Sequence, residues 1–436
     1  MSGLIIAAPQ SNSGKTVVTL GLLRHFRNQG VRVGAAKAGP DYIDPGFLAA
    51  ACGTPCRNLD VWAMRRATLA AQIAALQSRA DIVVCEGVMG LFDGAGLASR
   101  GSTADLAALT GWKVVLVVGL EGQGASSAAL IEGFARHRRD VTMGGVIFNR
   151  VASPRHAAMA EAALRQSLPE MLVLGAVPRD ASLALPSRHL GLVPSGEQPA
   201  LEAFLERAAA IMGDAIDSAA LRALAAPTSL APEYASSPLP PLGARIAIAK
   251  DDVFVFAYDA VLEGWRAQGA ELCVFSPLND EAPPEDADAV YLPGGYPELH
   301  AARIASSRRF LDGLRKAAQR GAAVYGECGG YMVLGSGLVD ADGVRHAMAG
   351  LLPVETSFAA RKLHLGYRAV TLAGDGVLGR AGQAYRAHEF HYATVTEEGA
   401  APRLFSVVDA DETALGLAGC VVGRVAGSFI HLIDRA

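Results

Sequence analysis

A cysteine set among glycines, Tyr325-Gly326-Glu327-Cys328-Gly329-Gly330-Tyr331, follows the apolar run Ala322-Ala323-Val324 and precedes Met332-Val333-Leu334. The order predicts a strand, an abrupt turn and a helix. At such a junction Cys328 meets the unpaired N–H groups of a helix start, which favour the thiolate, and the thiolate is the nucleophile. The flanking glycines permit the sharp turn and the close approach of a substrate. A free thiol is also commonly just a buried hydrophobe, so the nucleophilic reading needs partners. Leu292-Pro293-Gly294-Gly295-Tyr296-Pro297-Glu298 follows an apolar run, and its Gly294 and Gly295 amides, with that of Gly329, could donate to a tetrahedral oxyanion. Gly427-Ser428-Phe429-Ile430-His431 offers His431 as a base for Cys328, while Arg386-Ala387-His388-Glu389-Phe390-His391-Tyr392 holds two competitors, His388 and His391.

A second chemistry begins near the N-terminus. Ala8-Pro9-Gln10-Ser11-Asn12-Ser13-Gly14-Lys15-Thr16 follows an apolar run and opens a helical pattern, the context a phosphate loop needs. Amides of Ser11, Asn12, Ser13 and Gly14 would cradle phosphates, Lys15 would reach the β/γ-phosphates of ATP, and the Thr16 hydroxyl would ligate Mg²⁺. Pro9 stands where the first glycine of the usual pattern would be. Glu86, after the run Ile82–Cys85, could complete the metal site with Thr16, and Asp60 is a further candidate. Lys37-Ala38-Gly39-Pro40-Asp41-Tyr42-Ile43-Asp44-Pro45 and Glu86-Gly87-Val88-Met89-Gly90-Leu91-Phe92-Asp93-Gly94 both follow strand candidates, where open α/β sheets place their ligands. Asp41, Tyr42, Asp44 and Asp93 are therefore expected at the substrate. Asn149 could read an adenine edge, and Arg179 lies at another strand end. Any one of these acids could equally be a turn or helix cap; the functional reading rests on the set.

The elements that must position these residues alternate. Leu4–Ala7, Val33–Ala36, Ile82–Cys85, Val114–Val118, Val146–Phe148 and Leu172–Val177 read as strands, with helical patterns such as Thr16–Asn28 and Leu69–Gln77 between them. Apolar strands separated by helices predict an α/β fold, a parallel sheet covered on both faces. At 436 residues the chain exceeds one ordinary core. Five prolines between Ala226 and Gly243 (Pro227, Pro232, Pro238, Pro240, Pro241) exclude a regular helix and predict a linker at 226–243. It divides an ATP-binding domain, 1–225, from a second α/β domain, 244–436. There Arg245–Ala249, Ala270–Phe275, Ala289–Leu292 and Ala322–Tyr325 read as strands, and Tyr367–Leu372, Tyr392–Thr396 and Val421–Val425 as a more β-rich end.

The net charge of −4, with no basic block, gives no reason to expect nucleic acid. No apolar run is long enough to span a bilayer, and Met1-Ser2-Gly3-Leu4 has neither basic region nor cleavage site, so neither membrane nor signal peptide is expected. Six scattered cysteines suggest no disulfide framework and no zinc site, which fits the cytoplasm.

The Pro-Gly-Gly-Tyr-Pro-Glu loop, the Gly-Glu-Cys-Gly-Gly-Tyr elbow and the terminal Ser-Phe-Ile-His resemble a class I glutamine amidotransferase domain, and His-Glu-Phe-His-Tyr resembles its cobalamin-biosynthetic subgroup. The phosphate loop is similar to that of the dethiobiotin synthetase group; Gln10 replaces the lysine of partition-type ATPases. Together the two halves resemble the cobyrinic (or hydrogenobyrinic) acid a,c-diamide synthases. The resemblance implies a Cys328–His431 glutaminase, and an ATP–Mg²⁺ site that activates carboxylates of a corrin-ring acid for capture by ammonia. Asp44 and Asp93 match positions that handle the acceptor. One departure stands out: many amidotransferases carry a glutamate two residues past the histidine, and here that position is Ile433. A nickel-bearing sirohydrochlorin acid, or an inert amidotransferase-like domain in a nucleotide switch, are the competing readings. A homodimer is an open option.

Overall fold

The computed structural model describes residues 2–184, 200–231, 233 and 237–436. Four of the linker residues, Pro232, Tyr234, Ala235 and Ser236, lie outside them.

In the first half, apolar runs become strands whose side chains are covered on both faces. β1 (Ser2–Ala7), β2 (Val33–Ala38), β3 (Arg57–Leu59), β4 (Ile82–Glu86), β5 (Lys113–Gly119), β6 (Met143–Val151) and β7 (Val173–Pro178) form one parallel sheet in the order β3-β2-β4-β1-β5-β6-β7. Leu4, Ile6, Val84, Val115, Val117 and Ile147 lie in one core with Leu20, Leu22, Leu23 and Phe26 of the helix Lys15–Asn28. β1 is central, with β4 and β5 at its sides, so the loops after β1, β2 and β4 emerge together at the carboxyl edge of the sheet. β8 (Ala226–Pro227), the start of the proline-rich run, adds an antiparallel pair to β1. Further along, the run is packed: Leu239 and Leu242 are buried, and Trp265 Nε1–H donates to the Pro240 carbonyl at 3.0 Å.

The second half repeats the logic. β9 (Arg245–Ala249), β10 (Phe254–Phe256), β11 (Glu271–Phe275), β12 (Ala289–Leu292), β13 (Gly294–Gly295) and β14 (Ala323–Glu327) follow in order. A six-stranded sheet runs β11-β9-β12-β14, then Val425–Ser428 and Cys420–Val422. All its pairs are parallel except the last. The single strand expected over Val421–Val425 is two strands: Gly423, at φ 59°, turns the chain back into a hairpin. β10 and β13 form a separate two-stranded ribbon. An antiparallel sheet ends in the pair Ala384–His391 and Ile430–Arg435, with His388 opposite His431.

By its contacts the chain forms two compact units, Met1–Trp62 with Leu69–Tyr234, and Ala63–Thr68 with Ala235–Ala436. The short segment Ala63–Thr68 thus belongs with the second unit, where Arg65 and Thr68 bond Asp434. No described helix is long and apolar enough to cross a membrane.

Candidate active sites

In the first unit the helix Lys15–Asn28 starts directly after the loop Ala8–Gly14, and Gly14 holds φ at 88°. A side chain at Gly14 would collide with Asn149 Nδ2, which donates to the Ser13 carbonyl at 2.9 Å. Asn149 therefore props the phosphate loop with its amide nitrogen. The Thr16 hydroxyl donates to Glu86 Oε1 at 2.7 Å, and Lys15 Nζ stands 3.8 Å from the same oxygen. Glu86 is fully buried and its Oε2 has no hydrogen-bond partner among the described residues. A buried carboxylate oxygen left open beside a threonine hydroxyl suits a hard divalent cation. Asp60, also fully buried, accepts from the Trp62 amide at 3.0 Å.

Lys37 bridges this group to the next loop. Buried at the end of β2, its ammonium lies 3.1 Å from Glu86 Oε1 and donates to Asp44 Oδ2 at 2.7 Å. Burial alone would lower its pKa, but Glu86 and Asp44 outweigh that and hold the ammonium above its usual range. Lys15 moves the opposite way, because burial outweighs Glu86. Asp41 Oδ1 accepts from the amides of Ile43 and Asp44, starting the helix Asp44–Cys52, and burial beside Asp44 pushes its carboxyl up to about 6. The Asn58 amide clamps the same loop through the carbonyls of Gly39 and Asp41. Tyr42 is half-buried there. Asp93 is exposed on a loop tied to the phosphate loop by Leu91 N–H donating to Ala8, and it accepts from the Gly90 amide. Arg179 is exposed at the end of β7. Lys37 and Asn58 were not singled out by sequence; a lysine at the end of an apolar strand was the available signal.

In the second unit Cys328 follows β14 and precedes the helix Gly329–Leu334, at φ 47° and ψ −104°. A non-glycine residue in that region is strained, as at other nucleophile turns. The Cys328 amide is anchored to the Ser428 carbonyl at 2.8 Å. Pairing of Glu327 with Ser428 carries the chain's end alongside the elbow, with His431 three residues on and fully buried. A Cβ added to Gly294 would press into the His431 ring and lie 3.1 Å from Nε2 and 3.2 Å from Cys328 Cβ. Imidazole and thiol thus border one space, and Gly294 keeps it open. The amides of Gly295 and Gly329 face the sulfur.

Burial dominates the electrostatics. Cys328 is 2% exposed, and burial pushes its thiol well up; Glu298 adds to this, and the two amides oppose it. This corrects the expectation of a resting thiolate: six helical residues do not offset the lost hydration. His431 is lowered to about 3, by burial first and then by His388 and His391. The resting pair is therefore neutral thiol and neutral imidazole. Of the competitors, His391 has both nitrogens at oxygens, the Ala393 carbonyl and Glu389, each at 3.0 Å, and stacks on Phe429. His388 sits on the neighbouring strand, opposite His431. Glu298, half-buried and pushed up to about 7 by desolvation, and Glu327 escaped the sequence reading; the donors to Glu327 come from Tyr291, Tyr325 and Leu432.

Comparison with known proteins follows the same division. Residues 4–193 match the CobQ/CobB/MinD/ParA nucleotide binding domain, and residues 245–435 match the CobB/CobQ-like glutamine amidotransferase domain. The chain is 54% identical to the hydrogenobyrinate a,c-diamide synthase of Brucella anthropi, covering 100% of this chain and 99% of that one. It is 54% identical to the protein of the same name from Rhizobium meliloti, at 100% and 99% coverage. With that of Rhodobacter capsulatus it shares 51%, at 99% and 98% coverage.

Proposed function

The chain belongs to the family of the hydrogenobyrinate a,c-diamide synthases, and from that premise we propose that it converts the a and c acetate carboxylates of hydrogenobyrinic acid to amides, with ATP and glutamine as co-substrates. Full-length identity to relatives so named favours the metal-free ring over cobyrinic acid or a nickel-bearing ring.

In the second unit Cys328 Sγ attacks the glutamine side-chain carbonyl as His431 accepts the thiol proton. The amides of Gly295 and Gly329, with Gly294 leaving room, receive the developing oxyanion. The proton passes to the leaving nitrogen, ammonia departs, and water cleaves the thioester to glutamate. A neutral pair suits this sequence, because the base is unprotonated before attack. In the first unit a substrate carboxylate takes the γ-phosphoryl group of ATP, forming an acyl phosphate and ADP. Ammonia then attacks the acyl carbon and phosphate leaves. Lys15 and the loop amides hold the phosphates; Asp41, Tyr42, Asp44 and Asp93 border the acceptor side. Thr16 and Glu86, with Asp60 as a further candidate ligand, would hold Mg²⁺, which when bound supplies charge neutralisation on the phosphates. All six cysteines are free, in keeping with the reducing cytoplasm.

The observation that carries the glutaminase half is the space shared by His431, Gly294 and Cys328. Reciprocal variants test the two halves. Cys328→Ala is expected to abolish glutamine-dependent amidation while ammonium salts still support it. Lys15→Ala is expected to keep glutamine hydrolysis and lose ATP-dependent amide formation by about two orders of magnitude or more. Both are read by weighing the ring products and assaying glutamate. Loss of ammonia-supported synthesis in Cys328→Ala, or intact synthesis in Lys15→Ala, refutes the division of labour.

A further inference from the structure

With Ile433 two residues past His431, the usual orienting carboxylate is missing from that strand. We infer that Glu327, the residue immediately before the nucleophile, positions His431 in its place. The inference rests on the Cys328–His431 reading above.

Glu327 Oε2 lies 3.8 Å from His431 Nδ1, with both side chains buried. No other carboxylate on the neighbouring strands is placed for this. Asp434 is three residues on, past the bulge that breaks strand alternation between Leu432 and Asp434, and it is committed elsewhere. Its oxygens accept from Arg65 and Thr68. Glu389 is held by Arg368 at 2.7 Å and by His391 at 3.0 Å.

Glu327, by contrast, is fixed to the histidine's own strand, since its Oε1 accepts from the Leu432 amide at 3.0 Å. Tyr325 donates to the same oxygen at 3.0 Å, and Tyr291 donates to Oε2 at 2.8 Å. A carboxylate has about four acceptor sites, and these three donors leave one on Oε2, the oxygen nearest Nδ1. At 3.8 Å the pair is not a hydrogen bond in the neutral state. Proton transfer from Cys328 makes His431 an imidazolium, and a small approach then gives a charge-assisted bond, as many catalytic contacts tighten only on reaction. One dipeptide thus carries both nucleophile and orienter, the orienter at the end of β14 and the nucleophile on the turn.

Burial pushes the Glu327 carboxyl up to about 7, against the pull of Leu432, Tyr291 and Tyr325. The other titratable groups around His431 are His388, His391 and Glu389, with Cys328 across the space that Gly294 keeps open. Glutamine hydrolysis should therefore lose kcat/KM as pH falls through about 7, when Glu327 gains its proton.

The test is the pH profile of glutamine hydrolysis by the full chain. Glu327→Gln is expected to lower kcat about 100-fold at pH 8 with KM little changed, and to move the acid limb to lower pH. Ammonia-supported amidation and thermal midpoint monitor the fold. A kcat/KM equal to the parent's, or a loss with the limb unmoved, overturns the inference. Tyr291→Phe serves where the glutamine variant does not fold. It removes one donor to the ionised carboxylate, so the limb should move to higher pH with the plateau rate kept; an unmoved limb again overturns the proposal. Hydrolysis by the parent and its loss in Cys328→Ala belong to the underlying reading. If both hold while Glu327→Gln is silent, only the positioning role is lost.

Discussion

Gly294 carries more of the chemistry than its lack of a side chain suggests. The base and the nucleophile approach each other across the position its Cβ would fill. Addition of one methyl group forces His431 to turn or the strand β13 to shift, and β13 has little freedom because it pairs with Phe254–Phe256. Gly294→Ala is therefore expected to leave the fold intact and lower glutamine hydrolysis by about 100-fold, since misplacing a base by about 1 Å costs that much. Labelling of Cys328 by a glutamine-like electrophile should slow in step. A variant hydrolysing glutamine at the parent rate would mean that the two groups do not act across this space.

At the level of elements, both sites are made where parallel strands end and loops begin. The loops after β1, β2 and β4 meet because those strands are neighbours in the sheet, and Lys37, at the end of β2, fastens two of their acids. Lys37→Met takes from Glu86 and Asp44 the cation nearest both, leaving Glu86 with Lys15 at 3.8 Å. We expect a loss of about 3 kcal/mol, as for breaking a buried pair from one side, seen as a thermal midpoint lower by about 10 °C. An unchanged midpoint would show that the acids find other compensation. Such couplings explain what sequence could and could not disclose. Arg245–Ala249 and Ala289–Leu292 were legible to the residue, because a buried parallel strand is written as an unbroken apolar run. The three residues of β3 carry no period, and the hairpin at Gly423 hides inside an apolar stretch. The elbow at Cys328 announces itself through adjacent glycines. The partners of Glu327 are at 291, 325, 431 and 432, so its environment exists only after the strands have paired.

For the whole molecule, the buried titratable groups set how acid acts on stability. His388 and His431 are each lowered to about 3 from 6.5, by burial first, with Arg368 adding at His388 and neighbouring histidines at His431. Glu389 is lowered to about 2 from 4.5: burial opposes the shift, and the bond to His391 and the charge of Arg368 overcome it. All three groups bind a proton more readily in the unfolded chain, so their contribution to stability is present at higher pH and lost as pH falls. Glu327 and Glu298, raised to about 7 from 4.5, work in the reverse sense, but only between those values. Above pH 4.5 the two sets partly offset each other; below it the histidines and Glu389 are opposed only down to about pH 3.8 by Asp41, raised to about 6 from that value, and they outnumber it. The thermal midpoint should therefore change little between pH 6.5 and 4.5 and fall steeply from 4.5 to 3. His388→Gln removes one of the responsible groups and the charge that helps lower its neighbour His431, so it should make the acid fall shallower while leaving the neutral plateau near the parent's. Midpoints measured at half-unit steps for both proteins decide the matter. An equally steep fall in the variant would place the acid sensitivity elsewhere than in this histidine-rich pair of strands.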